Sequence, residues 1–146
     1  MEGGFEPMDK YIEEIRVLCN KTVYKYQHES SAQIHKHLQY TLLAWARKNN
    51  YQADYEYLVD NRGDNSNRQG RIDLRLVIEG KVYLIEFDIT NKIKSVKKLL
   101  SNSADYRLWV RAINESLIMF YYFHDIDIGD IIVVPVQNWD NDQNKK

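Results

Sequence analysis

Apolar side chains recur along this chain at helical spacing first, at alternating spacing next, and at helical spacing again. From residue 9 to about residue 20, Ile12, Ile15, Leu18 and Cys19 fall on one helical face, and Asp9 stands where an N-cap belongs. Glu29-Ser30-Ser31 opens a second helix whose inner face carries Ile34, Leu38, Thr41, Leu42 and Trp45, and Lys48-Asn49-Asn50 ends it. Tyr51, Ala53, Tyr55, Tyr57 and Val59 then alternate with polar residues, the period of a strand with one polar face.

Residues 60–70 have no period and no large apolar group, and they read as a loop. From Arg71 to Glu79 the alternation returns, with Ile72, Leu74, Leu76 and Ile78 on one face and Arg71, Asp73 and Arg75 on the other. Glu79-Gly80 is a tight-turn signal, and Lys81 to Thr90 is the returning strand, so residues 71–90 form a hairpin. After Asn91, Val96, Leu99, Leu100, Ser103, Tyr106, Val110, Ile113, Leu117 and Phe120 follow three-four spacing. This predicts one long helix or two, broken near Asn102, with Leu117 to Phe123 open to a strand reading. Asp125 to Asp130 reads as a turn, Ile131 to Val136 as a buried strand, and residues 137–146 as a frayed polar tail. The predicted order is helix, three strands, helix or helices, strand: an α/β fold with a mixed sheet flanked by helices.

The 146 residues suit one domain, and 44% hydrophobic with 28% charged residues is ordinary for a globular chain. The net charge of −1 leaves no global field to draw the protein onto nucleic acid, so such attraction must be local. Cys19 is the only cysteine, which excludes an internal disulfide and a thiolate zinc site; a reducing cytoplasm fits best. No run approaches a membrane span, and behind the acidic, glycine-bearing residues 1–7 no apolar signal segment is read.

The hairpin carries the candidate chemistry. Glu86 and Asp88 are two apart, so both project to the face of Val82 and Leu84, and Asp73 lies on the polar face of the partner strand. Buried carboxylates are costly and repel one another. A divalent cation relieves both problems, and oxygen-only ligands favour Mg²⁺ or Mn²⁺. Alternatively, these acids pair with Arg71, Arg75 or Lys81, or face water.

The run Gly70-Arg71-Ile72-Asp73-Leu74, a short turn, then Leu84-Ile85-Glu86-Phe87-Asp88 resembles the core motif of the PD-(D/E)XK nuclease superfamily. That family has a restriction-endonuclease-like core of helix, three-stranded meander, helix and strand. The resemblance covers about residues 26–136, leaving 1–25 as a helix and linker packed on the core and 137–146 as the tail. It implies that Asp73 and Glu86 bind the metal. It also implies a helix acid, for which Glu29 is placed; a helix-start residue favoured by the macrodipole is the competing reading. The family's motif lysine is replaced here by Asp88, which becomes a further ligand or base. A lysine that orients water or stabilises the phosphate must then come from elsewhere. Lys92 and Lys94 are nearest in sequence, and Lys97 and Lys98 are further options.

Lys92, Lys94, Lys97, Lys98, Arg107 and Arg111 form the one strong positive cluster, directly after the acids. They would hold phosphates, or they are a solvated helix face. Arg62-Gly63-Asp64 is an adhesion tripeptide only in an extracellular protein. The acidic run 125–130 has its glycine misplaced for a calcium loop. His35 and His37 point different ways on a helix, so a metal shared between them is not expected. The expected function is a Mg²⁺- or Mn²⁺-dependent endonuclease that hydrolyses DNA, with Asp73, Glu86, Asp88, Lys92 and Glu29 in its site. The alternatives are a catalytically degenerate descendant that binds nucleic acid or serves assembly, and an unrelated α/β interaction protein. RNA is the alternative substrate to DNA, and a homodimer or larger complex would supply the surface that so small a chain lacks.

Overall fold

The structure, a computed structural model, describes residues 9–64, 66, 68–89, 92–112, 127–137 and 139. Its elements are α1 (Lys10–Lys25), α2 (Ser31–Lys48), β1 (Gln52–Val59), β2 (Gly70–Ile78), β3 (Lys81–Asp88), α3 (Ile93–Leu100), β4 (Tyr106–Ala112) and β5 (Ile131–Val136). The helix starts follow their caps. Asp9 Oδ1 accepts from the N–H groups of Tyr11 (2.8 Å) and Ile12 (3.2 Å), and Ser30 Oγ accepts from that of Gln33 (3.2 Å).

The five strands form one open sheet in sequence order. β1, β2 and β3 are an antiparallel meander; β4 runs parallel to β3, and β5 parallel to β4. Helix α3 makes the crossover between β3 and β4. Asp105 closes it, its N–H donating to the Val82 carbonyl (2.9 Å) and its carboxylate accepting from the Val82 N–H (2.7 Å).

Each face of the sheet has its own core. Ile12, Ile15 and Val23 of α1 and Ile34, Leu38 and Leu42 of α2 meet Leu74, Leu76, Ile85, Phe87, Leu108 and Val110 on one face. Val96 and Leu99 of α3 meet Val59, Ile72, Leu84, Trp109 and Ile131 on the other. Central strands buried on both faces need apolar residues at nearly every position, which is why β3 and β4 show little exposed surface.

Three expectations are corrected. The helical period read through residues 103–112 belongs to a strand: α3 ends at Leu100, and β4 begins at Tyr106. Leu108 and Val110 face α1 and α2 while Trp109 faces α3, so a doubly buried strand mimicked the spacing of a helix. Ile72 does not share a face with Leu74; the two are buried in different cores, so β2 changes face at Asp73. Trp139, assigned to a frayed tail, is 3% exposed and packs in the α1–α2 core. The segment Leu117 to Phe123 lies outside the described residues. No helix among the described residues is long and apolar enough to cross a membrane.

Candidate functional site

The site forms where the sheet's ladders break. The β1–β2 register pairs Tyr55 with Leu74 and Tyr57 with Ile72 but skips Glu56 and Asp73, and Glu56 holds φ +50. The β2–β3 ladder also stops at Leu74 and Ile85. A non-glycine residue at positive φ stores strain that surrounding structure must hold in place.

Side chains take over the backbone groups that the ladders leave. The Asp73 N–H donates to Glu86 Oε2 (2.8 Å), the Phe87 N–H donates to Asp73 Oδ2 (2.9 Å), and the Asp73 carbonyl accepts from Gln39 Nε2 of α2 (2.9 Å). The two carboxylates thus exchange bonds with each other's strands, and the gap between β2 and β3 is held open by acids.

Asp73 reaches toward α2, where His35 Nε2 lies 3.2 Å from its Oδ2. Burial opposes the charged imidazolium, but the hydrogen bond and charge of Asp73 outweigh it, with Asp88 and Glu56 further off, and raise the His35 pKa. Burial likewise opposes ionisation of Asp73; His35 and the Phe87 N–H reverse that and hold its carboxyl below the usual range. His35, Gln39, Glu56, Phe87, Asp88 and Lys92 line a cavity of ≈ 380 Å³ beside this pair.

Glu86 faces α3, on the side its spacing from Leu84 required. Glu86 is 2% exposed, and Lys98 Nζ lies 2.6 Å from its Oε1. Burial and then the charge of Asp73 push the Glu86 pKa well up, against the opposing pull of Lys98. Asp88 turns aside: its Oδ2 accepts from Trp109 Nε1 (2.7 Å), and Lys92 Nζ stands 3.9 Å from its Oδ1.

The three carboxylates do not converge on one point as expected. Among the described residues no three His, Cys, Asp or Glu side chains are grouped so as to hold a metal ion. Asp73 and Glu86 are brought together, while Asp88 is held by the indole of β4. Glu29 pairs with His37 (3.1 Å), whose ring stacks on Tyr26. The α2 side chain that meets the Asp73 carboxylate is His35, a partner that residue spacing did not single out.

The basic cluster divides. Lys92, Lys94 and Lys97 are exposed. Arg107 instead donates to the carbonyls of Leu99 (2.9 Å) and Asn102 (2.7 Å) and pairs with Asp130 (2.8 Å). Arg111 is fully buried, its guanidinium 5.0 Å from the Trp109 ring centroid.

No family model matches the chain, and no curated protein matches it in sequence.

Proposed function

We propose that this protein is a metal-dependent nuclease that hydrolyses phosphodiester bonds, with Asp73, Glu86 and Lys98 as its working side chains. The observation that carries the reading is the Lys98–Glu86 contact of 2.6 Å beside Asp73. The helix, antiparallel meander, helix and parallel strand from α2 to β4 also follow the order of the PD-(D/E)XK core.

The donor chemistry of Asp73 and Glu86 suits a hard divalent cation. Both offer only oxygen, and Mg²⁺ takes one or two carboxylates while keeping several waters. Burial first and the charge of Asp73 second hold the Glu86 pKa up, and a bound cation would offset both. Asp88 would join through Oδ1, its Oδ2 being held by Trp109 Nε1. When bound, Mg²⁺ or Mn²⁺ would polarise the phosphoryl oxygen and acidify a water.

The chain's own residues supply the remainder. Lys98 of α3 would take the part of the motif lysine that Asp88 replaces, its ammonium orienting the attacking water or stabilising charge gathering on the phosphate. Lys92, just before α3, is 61% exposed at its side chain and sits beside Asp88 rather than Glu86. It and the exposed Lys94 and Lys97 fit phosphate contacts along the strand being cut. Arg107 and Arg111 serve packing of α3 and β4. DNA is the proposed substrate, and a homodimer would enlarge its footprint.

One observation favours a second reading, a non-catalytic nucleic-acid-binding or assembly module: Asp88 is held by Trp109 and adds negative charge close to where phosphate would lie. Titration with Mn²⁺ followed by electron paramagnetic resonance tests the primary reading. Wild type should bind the ion, and Asp73→Asn should abolish binding; no binding by wild type would turn the choice to the second reading.

A further inference from the structure

We propose that the loop Asn61–Asp64 is the element that positions Lys98, and that Gly63 is its positioning residue. Gly63 has φ +85 and lies against the α3 backbone. A Cβ there would stand 2.7 Å from the Lys97 carbonyl carbon, 2.8 Å from the Lys98 nitrogen and 2.9 Å from the Lys97 Cβ. Two of those atoms are helix backbone and cannot swing away. No side chain fits without driving the loop off α3 or α3 off the sheet.

Neighbouring contacts fix the same seat. Asn102 Nδ2 donates to the Asn61 carbonyl (2.7 Å) and to the Lys98 carbonyl (2.8 Å), tying the loop to the last turn of α3. The loop is braced internally: the Arg62 N–H donates to the Arg68 carbonyl (3.2 Å), and Arg62 Nε donates to Asp64 Oδ2 (2.7 Å). Gly70, at the start of β2, admits no Cβ either. One would stand 2.7 Å from Arg62 Cβ and 3.4 Å from Lys98 Cδ. The loop therefore lies against the Lys97–Lys98 backbone, Gly70 of β2 leaves room for Arg62 and for the Lys98 stem, and α3 delivers the amine to Glu86. The Arg62-Gly63-Asp64 tripeptide needs no receptor to explain it: its glycine makes room for α3, and its Arg and Asp close the turn.

The inference rests on the nuclease reading only for its effect on rate, so the test has an arm independent of activity. Reductive methylation of the whole chain, read at each lysine by mass spectrometry, reports how Lys98 is held. In wild type Lys98 should react about tenfold more slowly than Lys92, Lys94 and Lys97, being packed and ion-paired where they are exposed. Gly63→Ala should bring Lys98 toward the rate of the others. Gly80→Ala is the control. Gly80 also has positive φ, +79, but a Cβ there meets nothing within 4 Å. It carries the same backbone strain without the contact, and Lys98 should stay protected.

Should Gly63→Ala not fold, Asn102→Ala removes the tie without adding atoms and carries the same expectation. In cleavage assays, Gly63→Ala should lower kcat by about a hundredfold with KM and DNA affinity unchanged, as displacement of a catalytic group does. A wild-type Lys98 as reactive as its neighbours, or one that stays protected in the folded loop variants, overturns the proposal. Protection lost as expected in a protein that cleaves nothing would sink the nuclease reading and leave the positioning role standing.

Discussion

The ammonium of Lys98 lies 2.6 Å from Glu86 Oε1, on a helix that begins only after β3 has ended. Both groups are largely withdrawn from water, their side chains 17% and 3% exposed. A pair of this kind adds little to stability over an apolar replacement, yet removing one partner strands the other.

Lys98→Met should therefore destabilise the protein at neutral pH by about 3 kcal/mol, because it leaves the Glu86 carboxylate buried without its cation. The Glu86 pKa is already raised in the folded state, so folding favours its protonated form. The loss should shrink as pH falls through that raised value and the carboxyl takes up a proton. Adding Glu86→Gln should recover most of the stability and none of the activity. Urea unfolding of the single and double variants at several pH values measures each term.

The His35–Asp73 pair should give stability the opposite handling from an isolated carboxylate. With its folded pKa raised above 6.5, His35 contributes stability fully below its unfolded pKa. That contribution is lost as pH rises through the folded value. Asp73, held low, contributes above its unfolded pKa and loses its share as pH falls through the folded one. The pair is thus strongest in mildly acidic solution, between those two limits. His35→Gln should flatten the stability profile on its alkaline side, as read by urea unfolding from about pH 5 to pH 8.

The exposed lysines should govern DNA affinity without governing folding. Replacing Lys92, Lys94 and Lys97 with Gln should reduce the slope of log K against log salt by roughly 2.7 if each holds one phosphate of a duplex. The melting temperature should hardly move, because such surface changes are usually within about 0.5 kcal/mol. Arg111→Gln should do the reverse, since Arg111 is fully buried beside Trp109. Fluorescence anisotropy at several salt concentrations, paired with thermal melts, separates the two classes.

Much of the frame could be read directly from residue spacing. The turn at Glu79-Gly80, the alternation on either side of it and the caps Asp9 and Ser30 act locally, and local signals survive in a sequence. β4 was hidden because burial on both faces erases the period of two. The meeting of Asp73 with His35, and of Glu86 with Lys98, was hidden for a different reason. Each depends on tertiary geometry: a face change in β2, and the seating of α3 beneath a loop. Spacing grouped Asp73, Glu86 and Asp88, of which the fold brings Asp73 and Glu86 together; it had no means to foresee that Lys98 would meet Glu86 or that Trp109 would take Asp88.

The central claim is that Asp73, Glu86 and Lys98 cut phosphodiesters with a divalent cation. Nicking of supercoiled plasmid in Mn²⁺ or Mg²⁺, compared across wild type, Glu86→Gln, Lys98→Met and Lys92→Met, tests it most directly. Wild type should convert supercoiled DNA to the nicked form, and Glu86→Gln should abolish the conversion. Lys98→Met should lower the rate by about a hundredfold or more, as loss of one charge-stabilising group does. Lys92→Met should keep most of it. A folded wild type that cuts neither duplex nor single-stranded DNA or RNA with either metal would contradict the account, and a Lys98→Met variant as fast as wild type would contradict the role given to Lys98.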